Sequence, residues 1–310
     1  MERLEVLKYK PLRRCVLGYT LGAQNGNGSM RTQQLIGKVF RDERGQRLLD
    51  LQRYLWDNGF GADAPDQIFV PQPLAYIPEM RMLLQERAGG ETLEALAQHT
   101  ELGPFVRRSA EGLAKLHRLP PPHAQDNAGA RLSELSPRYE LGSERANLNR
   151  FATDLIEWRP DAASRIVELH AALDAWAQRL PRAPELLIHR DYYYSQVLFD
   201  GARLTLIDFD LLSLGDPAMD VANFTAHLKF MGLDQRGDLD AFSRHAQQFV
   251  EAYARYREVD ASFWARVEFY AAATLFRLMH VVTPRPMLTQ HFDALYDRTV
   301  NCMKSVPMLT

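Results

Sequence analysis

The sequence predicts an α+β protein in two parts: an amino-terminal antiparallel sheet with one helix, then a mainly helical remainder that contains a single β-hairpin. Three observations carry this. Residues 1–40 are rich in β-type runs, helical periodicity dominates beyond residue 91, and Asp200-Gly201 sits as a hairpin signal between two short apolar runs. A chain of 310 residues, 46% hydrophobic and 25% charged, has room for about two domains with cores of their own.

Each element has its own signature. Leu4, Val6 and the run Cys15 to Leu21 have strand composition, Gln24-Asn25-Gly26-Asn27-Gly28 is turn chemistry, and Gln34 to Phe40 is an apolar run around one lysine. A meander follows from this. From Gly45 the period becomes helical, with Leu48, Leu51 and Leu55 on one face beside Leu49 and Trp56, and the pattern stops at Asn58-Gly59. Proline-containing segments at 65–78 lead to the apolar strand Met82-Leu83-Leu84 and then to Ala88-Gly89-Gly90, the end of the first domain. Farther on, Ile166, Leu169, Leu173, Trp176 and Leu180 form one helical stripe, and Phe242, Ala246, Phe249, Tyr253 and Tyr256 form another. Both are core faces. Pro120 to Pro137 is expected to be a loop, and no internal repeat or low-complexity tract is present.

Composition excludes several classes. Cys15 and Cys302 are too few for a disulfide scaffold or a thiolate metal site, the start Met-Glu-Arg-Leu-Glu is no secretory signal, and apolar stretches such as Phe269 to Phe276 are far short of a membrane span. A soluble, cytoplasmic protein without membrane partners is expected. The net charge of −2 gives no general affinity for nucleic acid, yet residues 1–47 hold ten Lys/Arg against four Asp/Glu, which leaves −8 for the rest. Either an anion docks at that end or the segment is a solvated basic face.

Several motifs fail on context. Gly26-Asn27-Gly28 has Arg31 where a dinucleotide fingerprint needs its third glycine, and Gly37-Lys38 has Thr32 and Val39 at defining P-loop positions. Ser213 lacks the glycines of a nucleophile elbow, while His117 and His123 have no ligand-like spacing and read as a helix-end and a loop histidine.

One block holds. Leu187-Ile188-His189-Arg190-Asp191-Tyr192-Tyr193-Tyr194-Ser195-Gln196-Val197-Leu198-Phe199 precedes the hairpin turn, and Leu204-Thr205-Leu206-Ile207-Asp208-Phe209-Asp210 follows it. It resembles the catalytic loop and metal-binding strand of the kinase superfamily. The continuation Gly215-Asp216-Pro217-Ala218-Met219-Asp220-Val221-Ala222-Asn223 is similar to the aminoglycoside phosphotransferase and choline kinase branch of small-molecule kinases, and no protein-kinase activation segment follows Asp208. The resemblance implies a two-lobed protein-kinase-like fold: an N-lobe over residues 1–85, a hinge at 86–90 and a C-lobe over 91–310. It also implies ATP as phosphoryl donor, Mg2+, and a small hydroxylated acceptor, an aminoglycoside, sugar or amino alcohol.

Phosphoryl transfer needs an acid to receive the acceptor proton and oxygen ligands for Mg2+. By the resemblance, Asp191 has the first task, and Gln196 and Asp208 the second. A three-residue turn at 200–202 would pair Gln196 with Leu206 and place Asp208 diagonally on the same face, so that turn is expected. Lys38 matches the lysine that binds the α and β phosphates, and a lysine within an apolar strand is otherwise costly to bury. Asp50 is the expected acid partner. The carbonyl of Glu86 and the amide of Ala88 match the hinge groups that meet the adenine edge.

Three departures stand out. Gln196 replaces asparagine and is one methylene longer, Arg190 stands where these kinases have glycine, and the turn Lys8 to Arg14 has no glycine to lay amides over phosphates. The cations Arg13 and Arg14 are expected to substitute there. Asp216 and Asp220 read as supports of the loop, and Asp210 as either a second metal contact or scaffold. The three tyrosines 192–194 either stack on an acceptor ring or fill the core. The alternative to an enzyme is a nucleotide-binding pseudokinase with a regulatory or interaction role, its metal site weakened by Gln196.

Overall fold

The structure is a computed structural model that describes residues 2–11, 14–24, 30–120 and 137–304. The expected turn at Asn25-Gly26-Asn27-Gly28, the loop 121–136 with His123, and Arg13 lie outside the described residues. Of those described, the residues within 1–92 and 196–210 form one compact unit, and those within 93–120, 137–195 and 211–304 form a second.

The first unit is built on strands β1 (Arg3–Lys10), β2 (Arg14–Gln24), β3 (Met30–Phe40), β5 (Pro73–Ile77) and β6 (Met82–Glu86), in the order β1-β2-β3-β6-β5. All pairs are antiparallel, as the meander predicts. Strand β3 is central, so its inner face needs cover. Helix α1 (Arg44–Leu55) supplies it, burying Leu48, Leu51 and Leu55, and Phe40, Leu48, Leu49 and Leu83 meet in one cluster with Tyr76 against it. The helix continues into a wider turn at Trp56–Phe60, which Asn58 and Gly59 end by leaving helical dihedrals.

The hairpin belongs to this unit. Strands Val197–Asp200 and Arg203–Leu206 pair with β7 (Glu91–Thr92) on one side and, in parallel, with β4 (Ile68–Phe69) on the other. Gly90, at φ +108°, lets the chain enter β7: a Cβ there would lie 2.6 Å from the Phe199 carbonyl oxygen.

The second unit is helical, as the periodicity predicts. Ile166, Leu169, Leu173 and Trp176 are buried on helix Ala163–Ala177, and Ala246, Phe249 and Tyr253 on helix Ser243–Tyr256; Leu180 and Phe242 lie just outside those helices. Helix Ala218–Arg236 is buried on nearly all sides, which is why it shows no clean amphipathic period. Helix Ala261–Val282 starts on Asp260, whose carboxylate accepts the Phe263 amide at 2.8 Å. A small sheet joins Ser213–Gly215 to Arg138–Tyr139 and Leu186–Ile188 and fixes the entry to the loop at 189–195. No helix among the described residues is long and apolar enough to cross a membrane, and Cys15 and Cys302 carry free thiols.

Candidate active site

In the first unit, sheet geometry brings four charged side chains together. Lys38 lies within β3, opposite Val16 on β2 and Leu83 on β6. Arg14 opens β2 opposite Phe40, which makes it the diagonal neighbour of Lys38 on the same face. Both reach the end of the hairpin. Lys38 Nζ donates to Asp208 Oδ1 at 2.8 Å and to Asp210 Oδ1 at 2.7 Å. Arg14 donates to both oxygens of Asp208 at 3.3 Å and to Asp210 Oδ2. Burial alone would raise the Asp208 carboxyl, but the attraction of Lys38 and Arg14, with their hydrogen bonds, holds it well below the usual carboxylate range. Burial likewise opposes the charge on Lys38, and Asp210 and Asp208 overcome it.

This corrects the acid partner of the lysine. Asp50 is engaged one turn back along α1, where it accepts from Gln46 Nε2 at 2.9 Å. Lys38 pairs instead with Asp208 and Asp210, 170 and 172 residues farther along the chain.

The three-residue turn is also not formed. The ladder runs Val197↔Leu206 to Asp200↔Arg203, so the turn is the two residues Gly201 and Ala202. Gly201 has φ +58°, which suits the first central position of a II′ turn. The diagonal relation argued for Gln196 and Asp208 therefore does not arise. Neither residue follows strand alternation: Gln196 closes a short 3-10 turn, its carbonyl accepting the Ile207 amide at 3.0 Å, and Asp208 has φ +64°. A left-handed aspartate costs on the order of 1–3 kcal/mol, and the ion pairs hold it there. Gln196 is buried.

Glu86 ends β6 opposite Leu35, and its amide is taken by the Gln72 carbonyl. The Arg87 amide goes to Gln34, and Ala88 lies past the last ladder pair.

In the second unit, the loop carrying Asp191 rests on a buried polar frame. Asp220, in helix Ala218–Arg236, accepts the amides of His189 and Arg190, each at 2.7 Å. Arg190 has φ +66°, the region glycine favours, which gives a backbone reason for glycine at this position in similar kinases. Its guanidinium lies 3.6 Å from the Tyr139 ring centroid. Asp191 is half-buried, and no hydrogen bond ties its carboxylate to the described residues. Asn223 donates to the Tyr192 carbonyl at 2.9 Å, and Arg266 pairs with Asp216 at 2.9 Å. Two of the tyrosines pack in the core: Tyr192 and Tyr194 are buried, and Tyr192 donates to the Ser109 carbonyl and stacks on Phe224; Tyr193 is half-buried, its ring centroid 4.5 Å from that of His227.

His117 is the residue the sequence did not reveal. It lies in the last turn of helix Gly103–Arg118, fully buried, with Nε2 3.0 Å from Asp220 and Nδ1 2.7 Å from the Tyr253 hydroxyl. A neutral ring that donates from Nε2 and accepts at Nδ1 satisfies both partners. No local pattern could have signalled this, because the two partners are 103 and 136 residues away.

Burial lowers the His117 pKa against the opposing pull of Asp220, and burial and Arg277 lower that of His227. Both rings stay neutral when folded and bind a proton when unfolded, so the unfolded state holds more protons as pH falls below about 6.5. Stability should therefore decline from about pH 6.5 downward, by up to about 1.4 kcal/mol per pH unit for each ring. Urea unfolding between pH 5 and 8 measures the slope, and His117→Gln should make it shallower.

The donors gathered in the first unit are two carboxylates, oxygen ligands suited to a hard cation. No group of three or more His, Cys, Asp or Glu able to hold a metal exists among the described residues. A cation here would need further oxygens from a ligand, as Mg2+ takes from phosphates. With Lys38 and Arg14 at the same place, the cluster can hold a polyphosphate and its cation.

Comparison with known proteins agrees with this chemistry. The sequence model of the phosphotransferase enzyme family matches residues 29–259. A search of curated proteins finds no match. Among solved structures, the amicoumacin kinase in complex with AMP-PNP, Ca2+ and Ami is similar at TM-score 0.63 and 16% identity, over 99% of this chain and 89% of that one. A thermostable mutant of the aminoglycoside phosphotransferase APH(4)-Ia gives 0.61 and 17%, over 98% and 94%. A choline/ethanolamine kinase family protein from Mesorhizobium loti gives 0.59 and 16%, over 98% and 89%. At such identities the structures show the shared kinase-like fold. The family match covers most of the chain, and the chain belongs to the phosphotransferase enzyme family.

Proposed function

We propose that the chain transfers the γ-phosphate of Mg2+-bound ATP to a hydroxyl of a small cationic acceptor, an aminosugar or amino alcohol. The observation that carries this is Lys38, buried in a central strand and set on the two acids that follow the hairpin. Mg2+ would be held by Asp208 with Gln196, and when bound it neutralises charge on the phosphate oxygens. Lys38 and Arg14 bind phosphates, and the Glu86 carbonyl and Ala88 amide meet the adenine edge. Arg13, beside Arg14, has the same phosphate-binding role.

Asp191 accepts the proton of the attacking hydroxyl, since its carboxylate is free to do so while the Asp220 frame holds the backbone before it. A cationic acceptor suits the charge of −8 on the chain beyond residue 47. Solved neighbours include a spectinomycin phosphotransferase with ADP and spectinomycin, and a ternary complex with hygromycin B, both in keeping with a hydroxylated acceptor. The two free thiols suit a reducing, cytoplasmic setting.

The test is ADP release from ATP and Mg2+ across a panel of aminosugars and amino alcohols. At least one acceptor should raise the rate above background, and Asp191→Ala should lower that rate about 10²–10⁴-fold with nucleotide affinity retained. Nucleotide binding without turnover on any acceptor would instead favour a pseudokinase.

A further inference from the structure

We propose that Arg14 is an exchangeable counter-cation that makes the divalent metal and the nucleotide bind this chain as one unit, each strengthening the other. The proposal rests on the reading of Asp208 as a metal ligand. Its basis is the closed pairing of four side chains: Lys38 and Arg14 both contact both Asp208 and Asp210. Two positive charges match two negative ones, and Gln196 adds none.

Such a quartet resists each ligand taken singly. A divalent ion alone meets no net negative charge and must displace a cation that then has no anion to go to. A nucleotide alone finds both cations held by carboxylates. When metal and nucleotide arrive together, the carboxylates go to the metal, the cations go to the phosphates, and every charge is matched again.

The exchange falls to Arg14 for reasons of position and chemistry. Lys38 is locked in a central strand between β2 and β6, whereas Arg14 is the first residue of β2, with a longer side chain. Its guanidinium cannot shed its proton, so the pairing opens only by movement. The turn from Lys8 to Arg14 contains no glycine to present amides to phosphates, which leaves a place for this cation on the nucleotide.

Binding of Mn2+ alone, AMP-PNP alone and the two together, measured by calorimetry, tests the idea on the full chain. In the unsubstituted protein each ligand should raise the affinity of the other by about tenfold or more. Arg14→Gln, close in shape but neutral, should bind Mn2+ alone about tenfold more tightly and lose most of the coupling, and Arg14→Lys should retain the coupling. Arg14→Ala repeats the charge removal should the glutamine variant not fold. Unchanged Mn2+ affinity and unchanged coupling in the neutral variants would overturn the proposal. Asp208→Asn separates the two ideas. If it binds Mn2+ as the unsubstituted protein does, the metal reading fails; if it loses Mn2+ while the neutral Arg14 variants change nothing, only the Arg14 proposal fails.

Discussion

Asp220→Ala is expected to destabilise the protein by about 3–5 kcal/mol, read as a shift of the urea midpoint at constant slope. Asp220 is fully buried and accepts from two consecutive amides, those of His189 and Arg190, and pairs with His117 Nε2. Alanine leaves both amides and the imidazole without a partner, and each orphaned buried donor costs about 1–3 kcal/mol. Arg190 also loses part of what holds it at φ +66°. Asp220→Asn keeps one acceptor oxygen and should cost clearly less. Activity should fall in both variants, because Asp191 directly follows the two clamped amides. A loss under about 1 kcal/mol in Asp220→Ala would mean that the frame is not what holds the loop.

Lys38→Met should show the second large effect. Removing the ammonium leaves Asp208 and Asp210 to share Arg14 alone, and breaking a buried pair in this way costs about 3–5 kcal/mol. Methionine keeps the apolar stem of the side chain, so the loss reports charge rather than packing. Catalysis should fall about 10²–10³-fold in kcat/KM for ATP, the scale of losing one fixed charge-stabilising donor. Lys38→Arg should not restore it, since the planar fork does not fit a point-charge position inside the sheet. Steady-state ADP formation together with equilibrium unfolding measures both effects. Near-normal kcat/KM in a folded Lys38→Met protein would remove the lysine from phosphate binding.

How far the sequence reaches depends on the range of the interaction. The apolar run around Lys38, the stripe Leu48, Leu51 and Leu55, and the stripe Ile166 to Trp176 are local signals, and each forms the element it predicts. The hairpin was legible from Asp200-Gly201, but its register was not. One residue decides between a two- and a three-residue turn, and Gly201 adopts the dihedral of the shorter one. Side-chain partners across the chain left no signal. Arg14 meets Asp208 over a separation of 194 residues, and Lys38 passes over Asp50 for the same acid. The tyrosine triplet was ambiguous because only tertiary packing, Tyr192 on Phe224, separates a core role from a surface one. Asp220 was legible as a support of the loop, and it accepts the His189 and Arg190 amides; its third partner, His117, was not, because it lies 103 residues away.

Phosphoryl transfer to an acceptor hydroxyl with Asp191 as base makes a phosphomonoester. Phosphorus NMR of the protein with ATP, Mg2+ and an aminosugar or amino alcohol that promotes ADP release observes that product directly. The predicted result is a new phosphomonoester resonance that grows in step with ADP and is absent with Asp191→Ala. Formation of inorganic phosphate alone, or an ester that grows equally fast in Asp191→Ala, would contradict it.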